Sequence, residues 1–160
     1  MMAKTHSEMA AELVVQGCLS NLAGAGDGKF PPGGAFLEER ERSELGLQPG
    51  GRTLFYAIGQ SGVYANFQGA NTTVWFSAAD TNSADALDKL ERALKAAFPG
   101  SVQRHDRSLP NDDFSRERSY DVPLNAERAA TVDVAYPAPG AGAVGFRVRV
   151  LAYGRGQKTN

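Results

Sequence analysis

The stretch Thr72–Gly100, TTVWFSAADTNSADALDKLERALKAAFPG, decides how the rest of the chain is read. Its first part alternates. Val74, Phe76 and Ala78 stand against Thr73, Trp75 and Ser77, the period-two pattern of a strand over Thr73–Ala79. The second part changes period. Leu87, Leu90, Leu94, Ala97 and Phe98 recur at three- and four-residue steps, which predicts an amphipathic helix over Ser83–Phe98. Ser83 is a suitable N-cap, with Thr81 and Asn82 as rivals, and Pro99-Gly100 ends the element. On the polar face Asp88 precedes Arg92, and Glu91 precedes Lys95, by four residues, worth a few tenths of a kcal/mol per pair, roughly. A helix with one apolar stripe needs a layer to cover.

Working back from this stretch, two further strands are expected at Thr53–Ile58 and Val63–Gln68, joined by Gly59-Gln60-Ser61-Gly62 and followed by Gly69-Ala70-Asn71-Thr72. Short glycine-bearing connections of this kind make an antiparallel meander. Leu54, Tyr56, Ile58, Val63, Ala65, Phe67, Val74, Phe76 and Ala78 share one face; Phe55, Tyr64, Asn66, Gln68, Thr73, Trp75 and Ser77 share the other. Further upstream, Ala35–Leu45 reads as a short charged helix closed by Gly46, with the mixed-sign run Glu38–Arg42 as a solvated face. From Ser7 to about Leu22 a helical stripe of Ala11, Val15, Cys18 and Leu22 appears, with Thr5 or Ser7 to cap it. Working forward, Ser101–Leu109 is a weak strand, Pro110–Glu117 a polar loop and Arg118–Leu124 a strand. Thr131–Tyr136 and Val144–Tyr153 form a hairpin, with Asp133, Arg147 and Arg149 on its wet side. The resulting class is α+β: a two-layer sandwich in which an antiparallel sheet of about six to seven strands packs on two main helices. Residues 1–153 form one domain, and 154–160 a flexible tail.

Composition narrows the function classes. The chain has 160 residues, long enough for a core without disulfide or metal staples. Its 17 Lys+Arg nearly balance 18 Asp+Glu, which argues against a nucleic-acid or anionic-membrane binder, Arg147, Arg149, Arg155 and Lys158 notwithstanding. One cysteine, Cys18, excludes an internal disulfide and fits a reducing compartment. A bacterial-type cytoplasmic protein is expected. Val15-Gln16-Gly17-Cys18 has the outline of a lipoprotein processing box, but Glu8 and Glu12 interrupt the apolar segment such a leader requires.

Motifs for chemistry are missing. Gly24–Lys29 fails as a phosphate loop, with Ala23 in place of the first glycine and Phe30 in place of Ser or Thr. No Gly-x-Ser-x-Gly occurs, and His6, Cys18 and His105 lack metal-ligand spacing, so neither a catalytic residue nor a metal or other cofactor is expected. Two constellations remain. Tyr64, Asn66, Gln68 and Trp75 place aromatics and amides on one sheet face, suited to holding a partner. Arg104, His105 and Arg107, among Asp106, Asp112, Asp113, Arg116, Glu117 and Arg118, could hold an anion with His105 moving a proton. The bland reading of that second group is a charged edge strand that resists aggregation. The expected function is a non-enzymatic binding module whose aromatic-polar sheet face holds a protein or peptide, or a second copy of the chain. The alternative is a small-ligand protein or enzyme with a pocket between sheet and helices, using His105 and its neighbours.

Overall fold

The computed structural model describes residues 4–24, 29–77, 83–108, 116–137 and 145–155. Helix α1 (His6–Val14) opens with a capping box: Thr5 accepts from the Glu8 amide, and the Glu8 carboxylate accepts from the Thr5 amide. It runs on into a π-helical segment, Val15–Ser20. Eight strands follow: β1 (Ala35–Phe36), β2 (Arg52–Ile58), β3 (Ser61–Gln68), β4 (Asn71–Phe76), β5 (Val102–Ser108), β6 (Arg116–Pro123), β7 (Arg128–Tyr136) and β8 (Phe146–Gly154). Helix α2 (Glu39–Glu44) lies between β1 and β2, and α3 (Ser83–Ala97) between β4 and β5.

All eight strands form one antiparallel sheet, in the order β1-β2-β3-β4-β8-β7-β6-β5. The order is a palindrome. Each half of the chain supplies a long helix and then four strands, and the fourth strands of the two halves, β4 and β8, pair at the centre. Ile58 pairs with Ser61, and Gln68 with Asn71, so two residues make each of the first two turns. Gly59 and Gly69 hold φ of +60°, while Gln60 and Ala70 keep negative φ. That is the II′ geometry whose twist matches antiparallel strands.

The sheet has eight strands where six to seven were expected. The added one is β1, formed by residues assigned from sequence to a short helix over Ala35–Leu45; the helix itself begins only at Glu39. Pairing decides the difference. Ala35 and Phe36 sit opposite Phe55 and Leu54, the Leu37 amide donates to the Thr53 carbonyl at 2.8 Å, and Arg52 lies over the Phe36 ring at 4.1 Å. Two residues of β-pairing leave little periodicity to read. Arg116 and Glu117, assigned to a loop, belong to β6, whereas the turn proposed at Pro137–Ala143 and the flexible tail lie mainly outside the described residues.

Buried side chains of α1, the π segment and α3 form a single cluster with the alternate residues of the sheet. Leu13, Leu19, Leu90, Leu94, Val63, Val74, Val122, Val132, Val134 and Val148 are all at most 1% exposed. Each such burial contributes about 1.5–3 kcal/mol, so this face is the source of the fold's stability. On α3 the polar side carries the ion pairs Asp85–Lys89, Asp88–Arg92 and Glu91–Lys95. Among the described residues no helix is long and apolar enough to cross a membrane.

Candidate functional site

In an antiparallel sheet, residues directly opposite each other share a face. Leu54, Ala65, Val74, Val148 and Val134 form one such row across β2, β3, β4, β8 and β7, on the side of α1 and α3. The next row, displaced by one residue, is Phe55, Tyr64, Trp75, Arg147, Ala135, Glu117 and Arg107, on the other side. Register alone therefore turns Tyr64 and Trp75 away from the long helices.

Their rings form a ladder. Phe55 and Tyr64 lie 4.8 Å apart between centroids, and Tyr64 and Trp75 stack at 5.1 Å with planes only 10° apart. All three are half-buried. Gly62 makes room for the first ring: a Cβ there would meet the Phe55 ring and the Tyr56 carbonyl. Contiguous half-exposed aromatics are uncommon on a sheet that has already buried its other face.

The amides have a different job. Helix α2 lies on this same side, and from it Arg42 reaches the sheet with 1% of its surface exposed. Its Nε donates to Thr53 Oγ1 at 2.9 Å, and Nη2 to Asn66 Oδ1 at 3.0 Å and Gln68 Oε1 at 3.2 Å. Nη1 donates to Glu39 at 3.0 Å. Thr53 Oγ1 also donates to Asn66 Oδ1 at 2.8 Å, and Gln68 Nε2 donates to the Pro49 carbonyl at 3.0 Å. Asn66 and Gln68 thus anchor α2. The mixed-sign run does not make a uniformly solvated face, because Arg42 is the most deeply buried charge among the described residues. The nearest thing to a sequence signal for it was the pair Leu37 and Leu45, which flank the charged run.

Between α2 and the ladder lies a cavity of about 220 Å³ lined by Leu37, Glu41, Glu44, Leu45, Phe55 and Tyr64. Its walls are apolar and aromatic, with two carboxylate-bearing residues on the helix side.

The second constellation divides between the two faces of the sheet. His105 and Arg107 share a face with Glu117, which accepts from His105 Nε2 at 3.1 Å and from Arg107 at 3.0 Å. Burial raises the Glu117 pKa, but His105 and Arg107 outweigh it and hold the carboxyl below its ordinary value. On the helix side Asp106 accepts from Arg116 at 2.8 Å, Arg118 at 2.8 Å and Tyr136 at 2.9 Å. Arg118 and Tyr120 then donate to Glu91 of α3 at 2.9 and 2.7 Å. Arg104 sits at a bulge in β5 and faces Asp121 at 3.6 Å. These groups neutralise one another and tie β5, β6 and α3 together. Arg107 also stands four strand spacings from Trp75, about 19 Å. Tyr64 and Trp75 are therefore brought together, whereas Arg104, His105 and Arg107 belong to a different part of the sheet.

Cys18 is buried in the π segment, which pushes its thiol up to about 11, so it is a poor nucleophile. Among the described residues no group of three His, Cys, Asp or Glu is placed to hold a metal ion. No family model, curated protein or solved structure matches the chain.

Proposed function

We propose that this chain is a non-enzymatic binding module of the cytoplasm that holds a protein or peptide against the Phe55–Tyr64–Trp75 face. The observation that carries the reading is the stacked, half-exposed ring ladder on the side away from α1 and α3. Aromatic side chains offer large contact area at low entropic cost and dominate binding hot spots. The adjoining surface is tied together by a closed hydrogen-bonded set of Arg42, Thr53 and Asn66. Conversely, His105 lends little to the enzymatic reading: its Nε2 is engaged by Glu117, and it is turned away from the long helices.

The experiment is site-specific photocrosslinking. With p-benzoylphenylalanine at position 75, extracts of the producing cells give a discrete crosslinked product, while the same group at Arg92 on the exposed side of α3 does not. Equal products from both positions, or none from position 75 and a strict monomer by light scattering, would refute the reading.

A further inference from the structure

We propose that the cavity beneath α2 receives one basic side chain, lysine or arginine, from a bound peptide; this rests on the binding function above and names the chemistry of its partner. Size comes first. At about 220 Å³ the cavity falls below the roughly 300–1,000 Å³ of sites that enclose whole small molecules, so it suits a single side chain. It is bordered by Tyr64, which stacks on Trp75, so the remainder of a peptide has an aromatic surface to follow out of the cavity.

Chemistry then selects the side chain. Leu37, Leu45, Phe55 and Tyr64 supply walls for a long aliphatic stem of the kind lysine and arginine carry. Glu41 and Glu44 bring two negative charges to the same cavity. One Glu41 oxygen accepts from the Glu38 amide as part of the helix cap, which fixes the carboxylate in place without neutralising it. Of the two cations that flank Glu41 in sequence, Arg42 is paired with Glu39 and saturated by Thr53, Asn66 and Gln68, and Arg40, on the exposed side of the helix, forms no ion pair with Glu41 or Glu44. Among the described residues no lysine or arginine forms an ion pair with Glu41 or Glu44. An apolar side chain would leave the two carboxylates unanswered, and an acidic one would be repelled. The basic side chain alone satisfies walls and charge together.

The test uses the full chain and a fluorescent octapeptide of alternating lysine and glycine, followed by anisotropy. The expected result is saturable binding that weakens at least about tenfold when the lysines are Nε-acetylated. Glu44→Gln and Glu41→Gln, the latter keeping the helix cap, each weaken it at least about threefold, as does Tyr64→Leu through the loss of the aromatic wall and of the ladder it joins. Glu127→Gln, an exposed acid outside the cavity, leaves it unchanged. Several results would overturn the proposal: no binding, equal binding of the acetylated peptide, equal loss from Glu127→Gln, or N-acetyl-lysinamide binding as tightly as the peptide. A crosslink from position 75 alongside any of these would leave the binding function standing and remove only this inference.

Discussion

Removing Arg42 tests whether a single buried guanidinium holds α2 on the sheet. Arg42→Ala deletes donors to Thr53, Asn66, Gln68 and Glu39 at 2.9–3.2 Å. Hydrogen bonds to a charged group are worth about 1.5–3 kcal/mol each when a partner is left buried, but these four do not add. Asn66 Oδ1 keeps the Thr53 hydroxyl, and Glu39, 61% exposed on its side chain, recovers water. The net loss is therefore set by Gln68, by the space left behind and by the lost attachment, about 3 kcal/mol in all. In a chain of 160 residues that corresponds to a Tm lower by roughly 6–12 °C. Urea unfolding followed by Trp75 fluorescence gives the stability, and amide hydrogen exchange over residues 39–45 reports whether α2 detaches first. Arg42→Met, which fills the space without a charge, should recover more than half of the loss. Glu39→Gln should cost less than Arg42→Ala, because Glu39 is 61% exposed on its side chain and the glutamine oxygen still accepts from Arg42. A loss below about 1 kcal/mol for Arg42→Ala, with exchange in α2 unchanged, would show that the buried cation does not anchor the helix.

Other outcomes follow from the same geometry. Leu90→Ala and Leu94→Ala, both at most 1% exposed, should each cost about 2–5 kcal/mol in denaturant unfolding, whereas Arg92→Ala should stay within about 0.5 kcal/mol. Glu91 is held below its unfolded value of 4.5 by Lys95 and then Tyr120; Asp106 is held below 3.8 because Arg116, Arg118 and Tyr136 outweigh its burial. Depressed carboxyl pKa values stabilise the fold fully above the unfolded values and lose that contribution as pH falls through the folded ones. The urea midpoint should accordingly be insensitive to these groups above about pH 5 and drop below pH 4, less steeply in Tyr120→Phe. Cys18 should resist Ellman's reagent at pH 8 in the folded chain and react at once in urea. Gly62→Ala should displace the Phe55 ring and change the near-ultraviolet circular dichroism of the aromatic ladder.

Much of the fold was written into periodicity. Leu87, Leu90 and Leu94 marked α3 within a residue of its end, and the alternation around Tyr64 and Trp75 placed both on the face they occupy. Both signals are local, requiring only that neighbours i+2 or i+4 agree. What sequence did not carry were facts set by distant partners. β1 exists because Phe36 meets Leu54, and no two-residue pattern announces such a pairing. Arg42 is buried because Thr53 and Asn66, 11 and 24 residues away, present acceptors to it. Asn66, read as a binding residue, is one of those acceptors and is thereby engaged within the fold by Arg42 and Thr53. The polar group around Arg104, His105 and Arg107 is dense in sequence, yet strand alternation sends Asp106 to the helix side and leaves His105 and Arg107 on the other, where ion pairs absorb them.

The single tryptophan offers the most direct test of the face on which binding is placed. With 5-fluorotryptophan at Trp75, titration of the lysine–glycine octapeptide should shift the one ¹⁹F resonance saturably, with the midpoint seen by anisotropy, and Glu44→Gln should move both midpoints together. A resonance that stays fixed while the peptide demonstrably binds would place the interaction elsewhere and contradict the account.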